Sequence, residues 1–249
     1  MRRHLLVIGA QRSGSTYLHS LLDGHPQITM ARPVRPEPKV FLSDEVLGRD
    51  RQWYVDTYFA HATTEVLLGE KSTSYIEDSQ AATRAERVLG SVEVVAILRD
   101  PVVRAVSNWR FSTENGLETR PLEAALRENL AGTRSWDNAS TSVSPFAYLE
   151  RGRFDGYLDA WFQIFGPRVR VVFLQELLSS PQVLHDLSQS LDIEPFGRQA
   201  GAREPVNASS QPAPDLPADL LGQLREYYET SDRALAARLG RDLPWRTKS

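Results

Sequence analysis

The chain has 249 residues, with 29 Lys and Arg against 32 Asp and Glu, hence a formal charge of −3. Hydrophobic residues make up 41% and charged residues 24%, a globular balance that excludes disordered, collagen-like and coiled-coil chains. There is no basic excess of the kind a dedicated nucleic-acid binder carries. There is also no cysteine, which removes disulfides, thiolate metal ligands, iron–sulfur clusters and thiol nucleophiles.

His4 to Gly9 reads as a strand, and its unbroken apolar run Leu5-Leu6-Val7-Ile8 predicts burial on both faces, as in a parallel sheet. A polar turn over Ala10 to Ser13 leads into a helix that runs to about Leu22 and ends at His25-Pro26. Pro33, Pro36 and Pro38 make the next stretch an irregular loop. Arg51 to His61 reads as an aromatic-rich helix, Leu67 to Tyr75 as a short strand entering a polar turn, and Gln80 to Leu89 as a helix. Val92 to Leu98 is a second clear buried strand, after which Asp100-Pro101 opens a helix with Asp at the N-cap and Pro at N1. The Ser/Thr-rich stretch Ala131 to Ser144 reads as a loop and candidate lid. Phe154 to Phe165 is an amphipathic helix, Val169 to Leu174 a strand and Pro181 to Leu191 a helix. The proline-rich Glu204 to Pro217 wraps the surface, and Ala218 to Leu239 is a closing helix. Strands alternating with helices predict an α/β fold, a P-loop-type central parallel sheet flanked by helices on both faces, as a single domain over 1–249. No apolar run approaches the roughly 18 residues of a membrane span, so a soluble, cytoplasmic protein is expected.

Gly9-Ala10-Gln11-Arg12-Ser13-Gly14-Ser15-Thr16 follows a buried strand and opens a helix. In that setting successive backbone N–H groups turn inward, and the helix N-terminus adds partial positive charge; together they bind an anion. The spacing is that of a P-loop, but Ser15 stands where triphosphate chemistry needs Lys. Arg12 is the nearest cation. A second anion site is readable at Arg99, at the C-terminal end of a buried strand where ligands gather in open sheets. Ser107 follows two helical turns on, and a guanidinium fork with a hydroxyl suits a phosphate monoester. The competing reading pairs Asp100 with Arg104 at i,i+4 and leaves Arg99 to solvate a strand end.

Gln11-Arg12-Ser13-Gly14-Ser15-Thr16 resembles the 5′-phosphosulfate loop of the sulfotransferases that use 3′-phosphoadenosine 5′-phosphosulfate (PAPS). The resemblance continues in order through His25-Pro26, Glu37-Pro38-Lys39-Val40-Phe41, Gly69-Glu70-Lys71-Ser72-Thr73-Ser74-Tyr75 and Leu98-Arg99-Asp100-Pro101 to Ser107, and it is to the heparan-sulfate branch and its bacterial members. It implies PAPS as co-substrate with no metal required, held by Gln11, Arg12, Ser13, Gly14, Ser15 and Thr16 at the 5′ end and by Arg99 and Ser107 at the 3′-phosphate. It implies Glu37 as general base, Lys71 at the sulfuryl group or bridging oxygen, and Arg12 neutralising the leaving phosphate. The expected partner is a small-molecule or carbohydrate acceptor with a hydroxyl or amine, and neither a nucleic acid nor a membrane. Oligomeric state stays open, as do the alternatives of a P-loop kinase using ATP and a non-catalytic nucleotide-binding module.

Overall fold

Leu5, Leu6, Val7 and Ile8 are each fully buried, as the unalternating apolar run requires of a strand covered on both faces. The computed structural model describes residues 2–136, 144–197 and 214–246. Its regular elements, in chain order, are β1 (Arg3–Gly9), α1 (Ser15–Asp23), β2 (Ile28–Met30), α2 (Arg51–Tyr58), β3 (Leu67–Lys71), α3 (Ser79–Leu89), β4 (Glu93–Leu98), α4 (Pro101–Glu114), α5 (Leu122–Ala131), α6 (Phe154–Phe165), β5 (Val169–Phe173), α7 (Leu174–Ser179), α8 (Gln182–Leu191) and α9 (Ala218–Leu239). Two compact units result, Met1–Leu98 with Tyr157–Val206 and Arg99–Gly156 with Asn207–Ser249.

The first unit is built on a five-stranded sheet in the order β2-β3-β1-β4-β5. All four pairings are parallel. Leu5, Val7, Val95, Ile97 and Val172 share one face and pack with Tyr17, Leu18, Leu21 and Leu22 of α1 and Leu184, Leu187 and Leu191 of α8. The intervening residues Leu6, Ile8, Val94 and Ala96 are also fully buried, so the second face is closed too. At roughly 2 kcal/mol per buried Leu, Ile or Val side chain, this two-sided burial is the main term holding the sheet. The chain leaves the C-terminal end of β1 for one side of the sheet, and β3 through α3 crosses to the other, which puts the reversal of strand order beside β1. In an open α/β sheet that is the ligand-binding edge.

The second unit is helical. Val102, Ala105 and Val106 of α4, Leu122, Ala125 and Leu126 of α5, Tyr148 and Leu149, and Leu220, Leu224 and Tyr228 of α9 form one core. Gly152 is required here, since a Cβ on it would lie 2.8 Å from both Pro101 Cβ and the Tyr228 ring.

The expected parallel α/β sheet is present, and the predicted helix at 154–165 and the one at 218–239 have the observed bounds. Three elements were not foreseen. β2 has three residues, too few for a hydrophobic period to show. Leu122–Ala131 folds as α5, and Leu174–Ser179 turns into α7 directly from β5. Conversely, the strand expected over Leu67 to Tyr75 stops at Lys71, after which the chain folds into turns and a short 3-10 helix at Tyr75–Glu77. Residues 137–143 of the candidate lid and 204–213 of the proline-rich stretch lie outside the described residues.

Candidate active site

The turn after β1 is shaped by Gly14. It holds the left-handed conformation (φ 90°, ψ 17°) as the N-cap of α1, and a Cβ there would stand 2.6 Å from Leu174 Cδ1. A glycine cap has no side chain to accept a hydrogen bond, and none is made. The first N–H groups of α1 therefore remain available at the positive end of the helix, the electrostatic arrangement that receives an anion. Arg12, with φ 63°, sits at the turn. Ser13 is fully buried, and its hydroxyl has no partner among the described residues. Gln11 Nε2 donates to Ser74 Oγ at 3.3 Å, tying the loop to the segment that follows β3.

That segment lies beside the loop because β1 and β3 are neighbours, with Val7 opposite Lys71. A Cβ on Gly9 would be 2.6 Å from Ile76 Cγ2 and 3.1 Å from the Thr73 carbonyl oxygen, so the two segments approach backbone to backbone. Lys71 emerges at this edge and donates to Glu37 Oε1. Glu37 Oε2 accepts from Thr73 N at 2.9 Å and from Thr73 Oγ1 at 3.0 Å. The Lys71 and Glu37 side chains retain only 10% and 18% exposure. Glu37 therefore reaches across 34 residues of chain and is held in place by three donors. Buried His19 of α1 lies within electrostatic reach of this pair. Burial pushes its imidazole down from its ordinary value; Asp23 and Glu37 oppose the shift, while Lys71 and Arg32 add to it.

Behind the pair lies Glu70, fully buried. Its Oε1 accepts from Ser72 Oγ at 2.7 Å and from Tyr75 Oη at 2.6 Å, and its Oε2 accepts from Tyr54 Oη at 2.6 Å. Burial nonetheless pushes the Glu70 carboxyl up from its ordinary value, the hydroxyl bonds opposing the shift. Both tyrosines are driven well above theirs, first by burial and then by the Glu70 charge.

In the second unit, Asp100 caps α4 as expected, its Oδ1 accepting from Val102 N at 2.9 Å. For the alternative Asp100–Arg104 pair, the structure gives each side chain another partner. Asp100 is instead gripped by the Arg225 fork at 2.8 and 2.7 Å, while Arg104 is fully buried and donates to the Tyr148 carbonyl. Arg99 is half-buried. Burial pushes its guanidinium down from its ordinary value, with Asp100 opposing and Arg110 adding to the shift. Ser107 is half-buried on α4.

Of the residues singled out in sequence, the structure joins Glu37 with Lys71 directly and sets Gln11 to Thr16 at the same sheet edge. Arg99 and Ser107 belong to the other unit. Sequence reasoning passed over Thr73, Ser72 and Glu70, although all three lie in the Gly69 to Tyr75 segment that carried the resemblance. His25, at the end of the first helix, is a structural residue. Its Nε2 contacts the Glu194 carbonyl at 2.9 Å, and its Nδ1 accepts from Gln27 N at 3.2 Å. Tyr54 and Phe59, of the aromatic-rich segment expected as a helix, are core residues at 0% and 1% exposure.

Among the described residues no helix is long and apolar enough to cross a membrane. A family model described as "Sulfotransferase family" matches residues 5–63, the stretch from β1 through Glu37 and α2. The chain is 30% identical over 199 residues to the bifunctional heparan sulfate N-deacetylase/N-sulfotransferase 1 of Caenorhabditis briggsae, covering 77% of this chain and 23% of that protein. It is 23% identical over 263 residues to the heparan sulfate glucosamine 3-O-sulfotransferase 3B1 of Mus musculus, covering 96% of this chain and 64% of that one. This chain thus spans less than two thirds of the length of either relative. In fold it superposes on a sulfotransferase from Alicyclobacillus acidocaldarius with a TM-score of 0.73 at 21% identity, over 98% of each chain. By sequence and by fold together the chain is related to the sulfotransferases, and among them it resembles the heparan-sulfate branch.

Proposed function

We propose that residues 1–249 act as one sulfotransferase domain that moves the sulfuryl group of PAPS to a hydroxyl or amine of a small-molecule or sugar acceptor. The single observation that carries this reading is the Lys71–Glu37–Thr73 cluster beside an uncapped, glycine-led helix N-terminus at one sheet edge. The loop suits an anion and no side chain of its own competes for the N–H groups, so a 5′-phosphate fits there. Arg12, the N–H groups of Ser13 to Thr16 and the hydroxyls of Ser15 and Thr16 hold it in this reading, with Gln11 fixing the loop. Arg99 and Ser107 take the 3′-phosphate.

In the transfer, the acceptor O–H gives its proton to a Glu37 oxygen as the acceptor oxygen forms its bond to sulfur. The bond from sulfur to the 5′-phosphate oxygen breaks on the opposite side, and the electron pair stays on the phosphate. Lys71 and Arg12 face that developing charge. Fixed cations in a site shielded from water stabilise it far more than bulk solvent would. Glu37 holds Lys71 before the donor arrives, so Lys71 moves from the carboxylate to the bridging oxygen and frees Oε1 for the proton. Positioning supplies the rest of the rate, as in other in-line group transfers.

Thermal unfolding with 3′,5′-ADP and, separately, with ATP and Mg²⁺ tests the reading, because a ligand of the folded state raises the transition by mass action. A rise with 3′,5′-ADP is expected, and Arg99→Ala should weaken that binding about 10- to 100-fold, the cost of a lost charge-assisted contact. A rise with ATP and Mg²⁺ alone points to a kinase and overturns the proposal. Unchanged affinity in Arg99→Ala removes that residue from the site.

A further inference from the structure

We propose that Glu70 is a positioning residue that holds the Glu37-bearing loop against Lys71 through two hydroxyl relays. Ser72 Oγ donates to Glu70 Oε1 and accepts from Lys39 N at 2.9 Å. Tyr75 Oη donates to the same oxygen and accepts from Phe41 N at 3.2 Å. Each hydroxyl has one proton. Aimed at the Glu70 carboxylate, that proton leaves the lone pairs toward the loop free to receive a backbone N–H. Glu70 thereby sets the polarity of both relays. Lys39 and Phe41 are the second and fourth residues after Glu37, so the two N–H anchors locate the turn from which Glu37 reaches Lys71 and Thr73. Phe41 is fully buried and packs its ring 5.5 Å from that of Tyr75, which fixes the far side of the same turn. Tyr54 Oη also donates to Glu70, from α2, and its ring lies 5.7 Å from that of Phe41, a packing contact rather than a hydroxyl relay.

The Glu37 charge raises the cost of ionising Glu70. Burying such a group is costly unless several donors satisfy it, and here three hydroxyls do.

The role in transfer rests on the sulfotransferase reading above; the role in placing the loop does not. In Glu70→Gln the amide cannot accept from all three hydroxyls, and the relays lose their polarity. Backbone hydrogen exchange at Lys39 and Phe41 should quicken about tenfold or more while Val95 and Ile97 in β4 keep their protection, as expected of local opening. Acetylation of Lys71 by acetic anhydride, followed by mass spectrometry, should speed up several-fold. Turnover, measured as slow release of sulfate from PAPS in water, should fall about tenfold or more with KM for PAPS within about twofold, because a displaced base costs rate and not donor affinity. Should Glu70→Gln not fold, Ser72→Ala and Tyr75→Phe separate the relays: the first should expose the Lys39 amide and spare Phe41, the second the reverse. Unchanged exchange at both amides in Glu70→Gln overturns the proposal. So does equal exposure of both amides in either single-relay variant, which would mark a general loosening. A wild-type protein that neither binds 3′,5′-ADP nor consumes PAPS overturns the sulfotransferase reading alone, and the exchange and acetylation results still decide the placing of the loop.

Discussion

The Lys71–Glu37 pair can be weighed by a double-mutant cycle built from Glu37→Gln, Lys71→Met and their combination. Glu37 receives three donors, the Lys71 ammonium and the amide and hydroxyl of Thr73. Glutamine keeps one accepting oxygen. Whichever way its amide turns, either Lys71 or Thr73 faces an N–H₂ group instead of an acceptor. The two side chains are largely withdrawn from water, at 10% and 18% exposure, so the pair lies between an exposed bridge worth about 0–1 kcal/mol and a buried one whose rupture costs about 3–5 kcal/mol. A coupling energy of about 2 kcal/mol is expected, with Glu37→Gln alone destabilising by about 2–3 kcal/mol because a shielded donor is left without its acceptor. For a chain of this length that lowers the melting temperature by roughly 4–10 °C. Urea unfolding followed by tryptophan fluorescence measures all four species, with the denaturant slope expected to stay constant. A coupling below about 0.5 kcal/mol would refute the reasoning, because it would mean that water screens the pair as it does on an open surface.

Gly14→Ala should destabilise the protein by about 1–3 kcal/mol, since it combines a left-handed backbone with a Cβ 2.6 Å from Leu174 Cδ1. Adding Leu174→Ala should recover only the steric share, and full recovery in a melting experiment would show that the backbone conformation carries no cost. Asp232 gives a pH prediction. Its Oδ1 is buried without a partner among the described residues, its Oδ2 accepts from Trp245 Nε1 at 2.9 Å, and burial pushes the carboxyl up to about 6. A raised acid contributes stability that is fully present below its unfolded value of 3.8 and is lost as pH climbs through about 6. Asp232→Asn should therefore flatten the fall in stability between those values and stabilise the protein at about pH 7.5 by about 1–2 kcal/mol. Parallel pH profiles of wild type and variant in urea unfolding would show that Asp232 does not titrate in this window.

The anion loop was legible in the sequence because its requirements are local. A buried strand, two glycines five residues apart and a helix start lie within 16 residues, and the conformational freedom needed at Gly14 is written in the residue type. The same holds for the Asp100 cap, whose side chain serves the amide two residues on. Glu37 and Lys71 were also named, but by resemblance, and nothing in their spacing says that they touch. Arg104 shows the opposite failure. Its i,i+4 spacing from Asp100 suggested a surface pair, yet the neighbours supplied by Tyr148 and Arg225 took both residues elsewhere.

Unalternating hydrophobic runs at Leu5–Ile8 and Val94–Leu98 were enough to establish buried parallel strands, since two covered faces leave little room for a polar residue. They could not order those strands, nor reveal the three residues of β2, because strand order is decided by which helices close which face and β2 gains its identity from pairing with β3. The Glu70 relay was out of reach for the same reason. Its members come from α2, the end of β3 and the loop after Glu37, and a glutamate beside a lysine looks like surface charge until the fold buries it among hydroxyls. Residue type along the chain decides where an anion can be cradled; tertiary closure decides which carboxylate is held, by whom, and in what state of charge.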